Sequence, residues 1–483
     1  MLPVQSTLPF SDYSSLYDLL VPKTNLLRQI NDLVDFSFIR KELLAKYCSD
    51  NGRTAECPVR MFKYLLLKII YDLSDVDVVE HSLYDLSFKY FLGMAPEDTS
   101  LINPSSLCKF RKLRLQDNGL MNLLIEKTVS IAVEKGIIKS RTIIVDSTHT
   151  GSRSNPYSSV DVLKLRSKQL RKVIYDFDDE VKESLPEKNE DNDLSHELKY
   201  TRDLVDAVSS NAVLSNVPKI KERLNMLKEV ADDIEDHYTI SKDTDARTGH
   251  KSEDDSFFGY KTHIAMSDER IITAAIVTSG EKGDGPQLEE LVKQSRENGM
   301  EVETVVGDTA YSGKDNIILS QDEEKGFELV AQLHPVISHG FRKEEDKFEF
   351  NKDAGMFVCP AGHMAIRKAC QGKRSPGVNR TMVYFFDVDK CRNCSRRKGC
   401  YKEGANSKSY SVQIKSEEHK RQESFQNTEE FKEKARVRYK IEAKNAELKD
   451  VLGYDRATSY GMDCMRMQGA LTIFVANLTR IPK

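Results

Sequence analysis

Asp146, Asp308 and Glu442 are the carboxylates placed where chemistry could be done. Asp146 follows the β-branched run in RTIIVDSTHT, and Asp308 follows another in VETVVGDTAYSG. Glu442 falls within RVRYKIEAKNAELKD, where Arg438, Glu442 and Lys449 are spaced four and then seven apart. On a 3.6-residue helix those three share one side. Charge pairs at such spacings are common on solvated helices, so the stretch by itself leaves an ordinary salt-bridged face open. The acids are separated by 308 − 146 = 162 and 442 − 308 = 134 residues, and only folding could join them. Once joined they would repel and resist ionisation unless a cation lay among them. Mg²⁺ takes oxygen ligands and commonly links carboxylates to substrate phosphates. Two such ions could activate a water or sugar hydroxyl and stabilise the leaving oxygen of a phosphodiester.

The elements that must carry these acids alternate in character. Residues 1–138 look helical, with closely spaced apolar residues in MFKYLLLKIIYDLSDVDVVEHSLYDLSFKYFLG and Ser caps in NPSSLCKFRKLRL. Lys109, Arg111, Lys112 and Arg114 there are available to a phosphate backbone. From residue 139 the pattern becomes mixed α/β. IIVDST predicts a buried strand that ends in a functional loop, FFGYKTHIAMSD and RIITAAIVTSG predict a two-strand hairpin, and VETVVGD and FELVAQL predict further strands. GPQLEELVKQSRENG carries Pro at a helix start and Gly at its end. The chain from about Phe425 to Leu452, and MRMQGALTIFVANLTRI after it, read as helices.

Two insertions divide this body into 139–157, 245–333 and 421–483. The first, 158–244, is charged and helical. Leu170, Ile174, Phe177 and Val181, and then Ile220, Leu224, Leu227, Ala231 and Ile234, form seams that predict an antiparallel helical hairpin, with LPEKNEDNDLSHE as its loop. The second, 334–420, holds Cys359, Cys391, Cys394 and Cys400 in VCPAGH and CRNCSRRKGC, a thiolate set suited to a tetrahedral structural Zn²⁺. His363 and Cys370 are alternative ligands, and unliganded cysteines are the plain alternative. Between His363 and Lys402, Arg367, Lys368, Lys373, Arg374, Arg380, Lys390, Arg392, Arg396, Arg397, Lys398 and Lys402 make a basic patch opposed only by Asp387 and Asp389. Such a patch attracts phosphates although the whole chain carries a net charge of −4. Cys48, Cys57, Cys108 and Cys464 read as small core residues. His149 and His263 read as hydrogen-bonded histidines near the acids, and Tyr311 either packs or touches substrate.

Over nearly its whole length the chain resembles the DDE transposases of bacterial insertion sequences. The opening helices are similar to their N-terminal domain, IIVDST to the first-Asp strand, GYKTHIAMSD to the hairpin that follows, and VVGDTAYSG to the second-Asp motif. RYKIEAKNAELK fits the Arg, Glu and Lys of their third motif, although Ala435 stands where that motif has Tyr. The resemblance implies a ribonuclease-H-like mixed sheet with flanking helices, after a helical N-terminal DNA-binding domain and interrupted by a helical-hairpin insertion and a small zinc-ribbon-like one. It implies Asp146, Asp308 and Glu442 as Mg²⁺ (or Mn²⁺) ligands, with Arg438 and Lys449 at the DNA backbone. It further implies cleavage at terminal inverted repeats, strand transfer into target DNA, and a homodimer that handles two ends. A metal-dependent nuclease that cuts without joining, or a domesticated DNA-binding protein, are the competing readings.

Composition sets the remaining bounds. A 483-residue chain with 39% hydrophobic and 31% charged residues can build two or three domains. There is no apolar run of membrane-spanning length, no secretory-signal pattern, and no disulfide framework among the nine cysteines. A cytoplasmic, nucleoid-associated protein is the expectation.

Overall fold

The computed structural model describes residues 11–48, 54–116, 119–154, 158–235, 241–251, 255–322, 324–334, 348–351, 354–372, 380–413 and 417–482. Its centre is a six-stranded mixed sheet in the order β2-β3-β1-β5-β6, with β4 also on β3. The strands are β1 (Thr142–Gly151), β2 (Arg247–His250), β3 (Ser256–Ser267), β4 (Ile272–Ser279), β5 (Thr304–Val306) and β6 (Glu328–Val330). β1 runs antiparallel to β3 and parallel to β5, and β5 runs parallel to β6. This curled mixed sheet, flanked by helices, is consistent with a ribonuclease-H-like architecture.

Alternation along β1 divides the interior. Ile143 and Val145 face one core with Ala265, Ala274 and the buried side of α12 (Leu288–Glu297). Ile144 faces the opposite core with Ile264, Met266 and Ile272. That second core also contains α4 (Pro58–Ile70), α8 (Leu120–Glu134) and the final helix, Met462–Arg480. Phe62 of α4 meets Phe474 of the final helix edge-on, with ring centroids 5.9 Å apart. Buried Asn477 joins three elements: its Oδ1 accepts from Ile272 N–H, and its Nδ2 donates to Ile272 C=O, each at 2.8 Å, and to Thr128 Oγ1 at 2.9 Å. Every polar atom of that amide is therefore partnered inside the core. The first helices and the last one thus cover the same sheet face.

Several local expectations change. β1 does not end at Asp146; it continues to Gly151, because residues 146–151 pair with Gly259–Ile264 of β3. The polar residues after Asp146 are strand residues whose β-branched members, Thr148 and Thr150, are buried. Among the described residues of 158–244 lie three α-helices, α9 (Ser159–Phe177), α10 (Leu194–Ser210) and α11 (Pro218–Glu235), where two were expected. Leu170, Ile174 and Val181 of one expected seam pack with Ile220, Leu224 and Leu227 of the other, joined by Tyr200, Leu204, Val205 and Val208 of α10, whereas Phe177 is exposed and Ala231 and Ile234 pack on Leu163. The segment taken as a loop supplies the start of α10, capped by Asp193 through Ser195 N–H and His196 N–H. Cys48 and Cys108 are exposed, and Cys57 and Cys464 are partly so, which removes them from the core. Small size alone did not bury them.

In the second insertion, Glu349–Asn351 and Met356–Val358 form a hairpin, and Arg367–Gln371, Thr381–Phe386 and Lys408–Gln413 form a three-stranded antiparallel sheet. Its small core contains Phe357, Tyr384, Phe386 and Tyr410. Lys373 and Arg374 of the basic patch lie outside the described residues. Among the described residues, no helix is long and apolar enough to cross a membrane.

Candidate active site

The β1–β5 register brings the first two acids together. Ile144 pairs with Val306 in parallel, so Asp146, still within β1, and Asp308, just past the end of β5, each lie two residues further on, and the Asp308 charge is felt at Asp146. The turn between them is tight at Gly307, where a Cβ would come within 2.8 Å of the Tyr311 ring and 3.0 Å of Val145. Asp308 then caps the turn Thr309–Tyr311 by accepting from Ala310 N–H at 2.9 Å.

Burial, aided by the charges of Asp308 and Asp284, pushes the Asp146 carboxyl up to about 6, against the opposing hydrogen bond from Ser147 N–H and the charge of Arg438. Tyr311 lies beneath these acids, fully buried, and among the described residues its hydroxyl has no hydrogen-bond partner. Burial and then the charges of Asp284, Asp146 and Asp308 hold that phenol well above its ordinary range.

Glu442 and Asn445 lie on one helix, Tyr439–Ala446, one turn apart. Ile441, and Leu448 in the wider π-turn that follows, anchor this segment in the core. Asn445 Nδ2 donates to Asp146 Oδ2 at 2.9 Å. Glu442, whose side chain is 59% exposed, turns instead to Arg438, with Oε1 3.2 Å from Nη2. The helix therefore reaches Asp146 through Asn445, while Glu442 stays on an ion pair one turn away. Among the described residues, no group of three or more His, Cys, Asp or Glu is gathered closely enough to hold an ion.

Tyr454 fixes the far end of this segment to the sheet. Its carbonyl accepts from Thr150 Oγ1 and its hydroxyl bonds Thr262 Oγ1, both at 2.8 Å. Gly469 of the final helix gives it room, since a Cβ there would lie 2.6 Å from the Tyr454 oxygen.

Lys449 reaches His149, with Nζ 3.3 Å from each ring nitrogen. The His149 ring packs on Phe257 at 4.9 Å. Burial and the nearby Lys449 and Lys251 charges lower the imidazole to about 4, which keeps it neutral near pH 7. His263 is fully buried and bonded through Nε2 to Thr278 Oγ1 at 2.9 Å.

Asp284 was not singled out from sequence. In GDGPQ it resembles a helix cap, yet its side chain makes no cap bond. It lies 3.1 Å from Lys261 Nζ and 3.2 Å from His263 Nδ1. Burial would raise its carboxyl, but the His263 and Lys261 interactions outweigh burial and hold it at about 2. Asn445 was also missed, because an amide between charged residues on a helix carries no signal of its own.

The basic residues before α8 divide into two groups. Arg111 forms a bidentate pair with Asp75, at 2.9 and 2.5 Å, and Arg114 donates to the Lys46 carbonyl over the Tyr47 ring. Lys109 and Lys112 are exposed.

Cys359, Cys391, Cys394 and Cys400 line one cavity with His363. The Cys359 turn closes through Gly362 N–H to Cys359 C=O at 2.8 Å, with Gly362 at φ 82°. Cys394 Sγ accepts from Arg396 N–H at 3.4 Å. Burial and then the neighbouring Cys400, Cys359 and Cys394 raise the Cys391 thiol.

A family model described as a transposase DDE domain matches residues 233–478, half of the chain, and one described as a transposase domain (DUF772) matches residues 15–113. The chain belongs to the DDE transposases. No curated protein and no solved structure matched it. The match of the DDE transposase model includes Asp308 and Glu442, and Asp146 lies upstream of it, joined through the strand register. The protein is thus a DNA transposase of insertion-sequence type, acting on DNA, in a family that generally uses a divalent metal, Mg²⁺. Asp146 and Asp308 offer oxygen ligands of the kind such an ion takes, and among the described residues no third acid is gathered with them.

A raised carboxyl has a defined consequence for stability. The folded protein holds the Asp146 proton more tightly than an ordinary carboxyl at 3.8, so stability is full below about pH 4 and declines as pH rises through about 6. Two units correspond to roughly 3 kcal/mol at neutral pH. Asp146→Asn should therefore melt at higher temperature than the parent in metal-free buffer at pH 7.5, with the gap closing below pH 4. Scanning calorimetry with equal melting temperatures across that range would contradict the burial argument.

Proposed function

We propose that Asp146, Asp308 and Glu442 form the divalent-cation site with which this transposase cleaves transposon ends and joins them to target DNA. The observation that carries the reading is the alignment of Asp146 with Asp308 by the parallel register, under the helix that also bears Glu442. A bound Mg²⁺ or Mn²⁺ would stabilise charge developing on the scissile phosphate and ease ionisation of the attacking hydroxyl.

The chain's own groups would do the rest. Glu442 leaves Arg438 by side-chain rotation and completes the acidic set, which returns the Arg438 guanidinium to a DNA phosphate. Lys449, steadied against neutral His149, offers its ammonium to the same backbone. Asp284, already paired with Lys261 and His263, keeps its charge occupied beside the site.

The remaining assignments follow this plan. Residues 1–138 form the helical region that recognises terminal inverted repeats. Residues 139–157, 245–333 and 421–483 form the catalytic body, and 158–244 and 334–420 are insertions. Handling two DNA ends together calls for a homodimer, with α9–α11 as a candidate interface. Cys359, Cys391, Cys394 and Cys400 hold a structural Zn²⁺ after small side-chain movements, which would fold the basic lobe for DNA contact.

In an assay with Mg²⁺ and labelled DNA bearing the element's own ends, the protein should give cleaved and joined products. Glu442→Gln should lower both by about 100–1,000-fold, the scale set by removal of one key electrostatic group, while end binding persists. Cleavage without joining would support a nuclease, and binding without cleavage a domesticated protein. For the cysteine site, Co²⁺ added to the metal-free protein should give thiolate charge-transfer absorption that Cys391→Ser abolishes. No such absorption would refute the thiolate cage.

A further inference from the structure

Asn445 touches the reacting region without being one of its acids. Its Nδ2 holds Asp146 Oδ2 at 2.9 Å, while among the described residues its own Oδ1 is buried with no hydrogen-bond partner. A buried amide oxygen left unpaired forfeits its hydration without a replacement, which makes a partner supplied by the completed site favourable. The residue lies on the helix between Glu442 and Lys449, three positions after the former and four before the latter, on the side facing β1. Asp146 feels the charge of Asp308 and takes a local hydrogen bond from Ser147 N–H, and the Asn445 amide is the contact that reaches it from the helix bearing Glu442.

We propose that Asn445 is a positioning residue for the divalent-cation site. Its N–H pins one oxygen of Asp146 and leaves the other for the cation shared with Asp308, and its unpaired Oδ1 receives a hydrogen bond from water held at that site. The inference rests on the carboxylate-site reading above. It adds that the helix bearing Glu442 organises the site twice, once through the acid and once through an amide one turn on. Such outer partners orient the ligand, and their removal typically weakens metal binding by about 10–100-fold.

Mn²⁺ binding to the full-length protein, followed by the electron paramagnetic resonance of the free ion, tests this without any turnover. Asn445→Ala should weaken Mn²⁺ binding by about ten-fold or more. Asn445→Leu, which better preserves the packed volume, should show the same loss if the alanine variant folds poorly. In an Asp146→Asn background, removing Asn445 should change nothing further, because its effect runs through Asp146. Binding by both single variants within two-fold of the parent would overturn the proposal. So would an equal loss in both backgrounds, which marks a merely structural role. If Asp146→Asn alone bound Mn²⁺ like the parent, the carboxylate-site reading itself would fail, an outcome distinct from the other two.

Discussion

Two carboxylates held near each other, Asp146 within central strand β1 and Asp308 just past β5, repel each other, and Asp146 is partly buried. The parallel β1–β5 pairing enforces this by placing Asp146 and Asp308 at matched positions beyond Ile144 and Val306. Burial then holds Asp146 in a state that favours a proton or a cation. Much of the surrounding structure maintains that arrangement. Tyr311 fills the space beneath, Gly307 lets the chain turn closely past it, and the Asn477 amide ties the final helix to β4 and α8 across the opposite core.

The third acid is handled differently. Glu442 is exposed and paired with Arg438, so the proposed third acid lies apart from Asp146 and Asp308 in this structure. An exposed ion pair of this kind is worth little, about 0–1 kcal/mol, and yields readily to a stronger electrostatic partner. The same helix supplies a fixed contact, Asn445 to Asp146, so it need not move as a body for Glu442 to arrive.

How far this was legible in the sequence depended on the kind of signal. Periodic apolar patterns located the strands around Asp308 and the final helix, because burial imposes those periods directly. The motif spacings singled out three acids, of which the fold brings Asp146 and Asp308 near each other and leaves Glu442 on Arg438. The strand through Asp146 was cut short because polar residues after an apolar run resemble a loop, whereas β1 continues with threonines buried against β3. The third helix of the first insertion was hidden in a charged stretch, where Tyr200, Leu204, Val205 and Val208 make a short seam without a long repeat. Asp284 and Asn445 were invisible because their meaning lies in partners 20 to 300 residues away: His263 and Lys261 for one, Asp146 for the other.

The central claim, that Asp146 and Asp308 share a cation which Glu442 then joins, is most directly tested by anomalous diffraction from crystals of the transposase with Mn²⁺ and end DNA. The account predicts an anomalous peak within coordination distance of oxygens from both aspartates, with Glu442 rotated away from Arg438 toward it. Mn²⁺ located elsewhere, with the two aspartates bonded only to protein groups, would contradict the account.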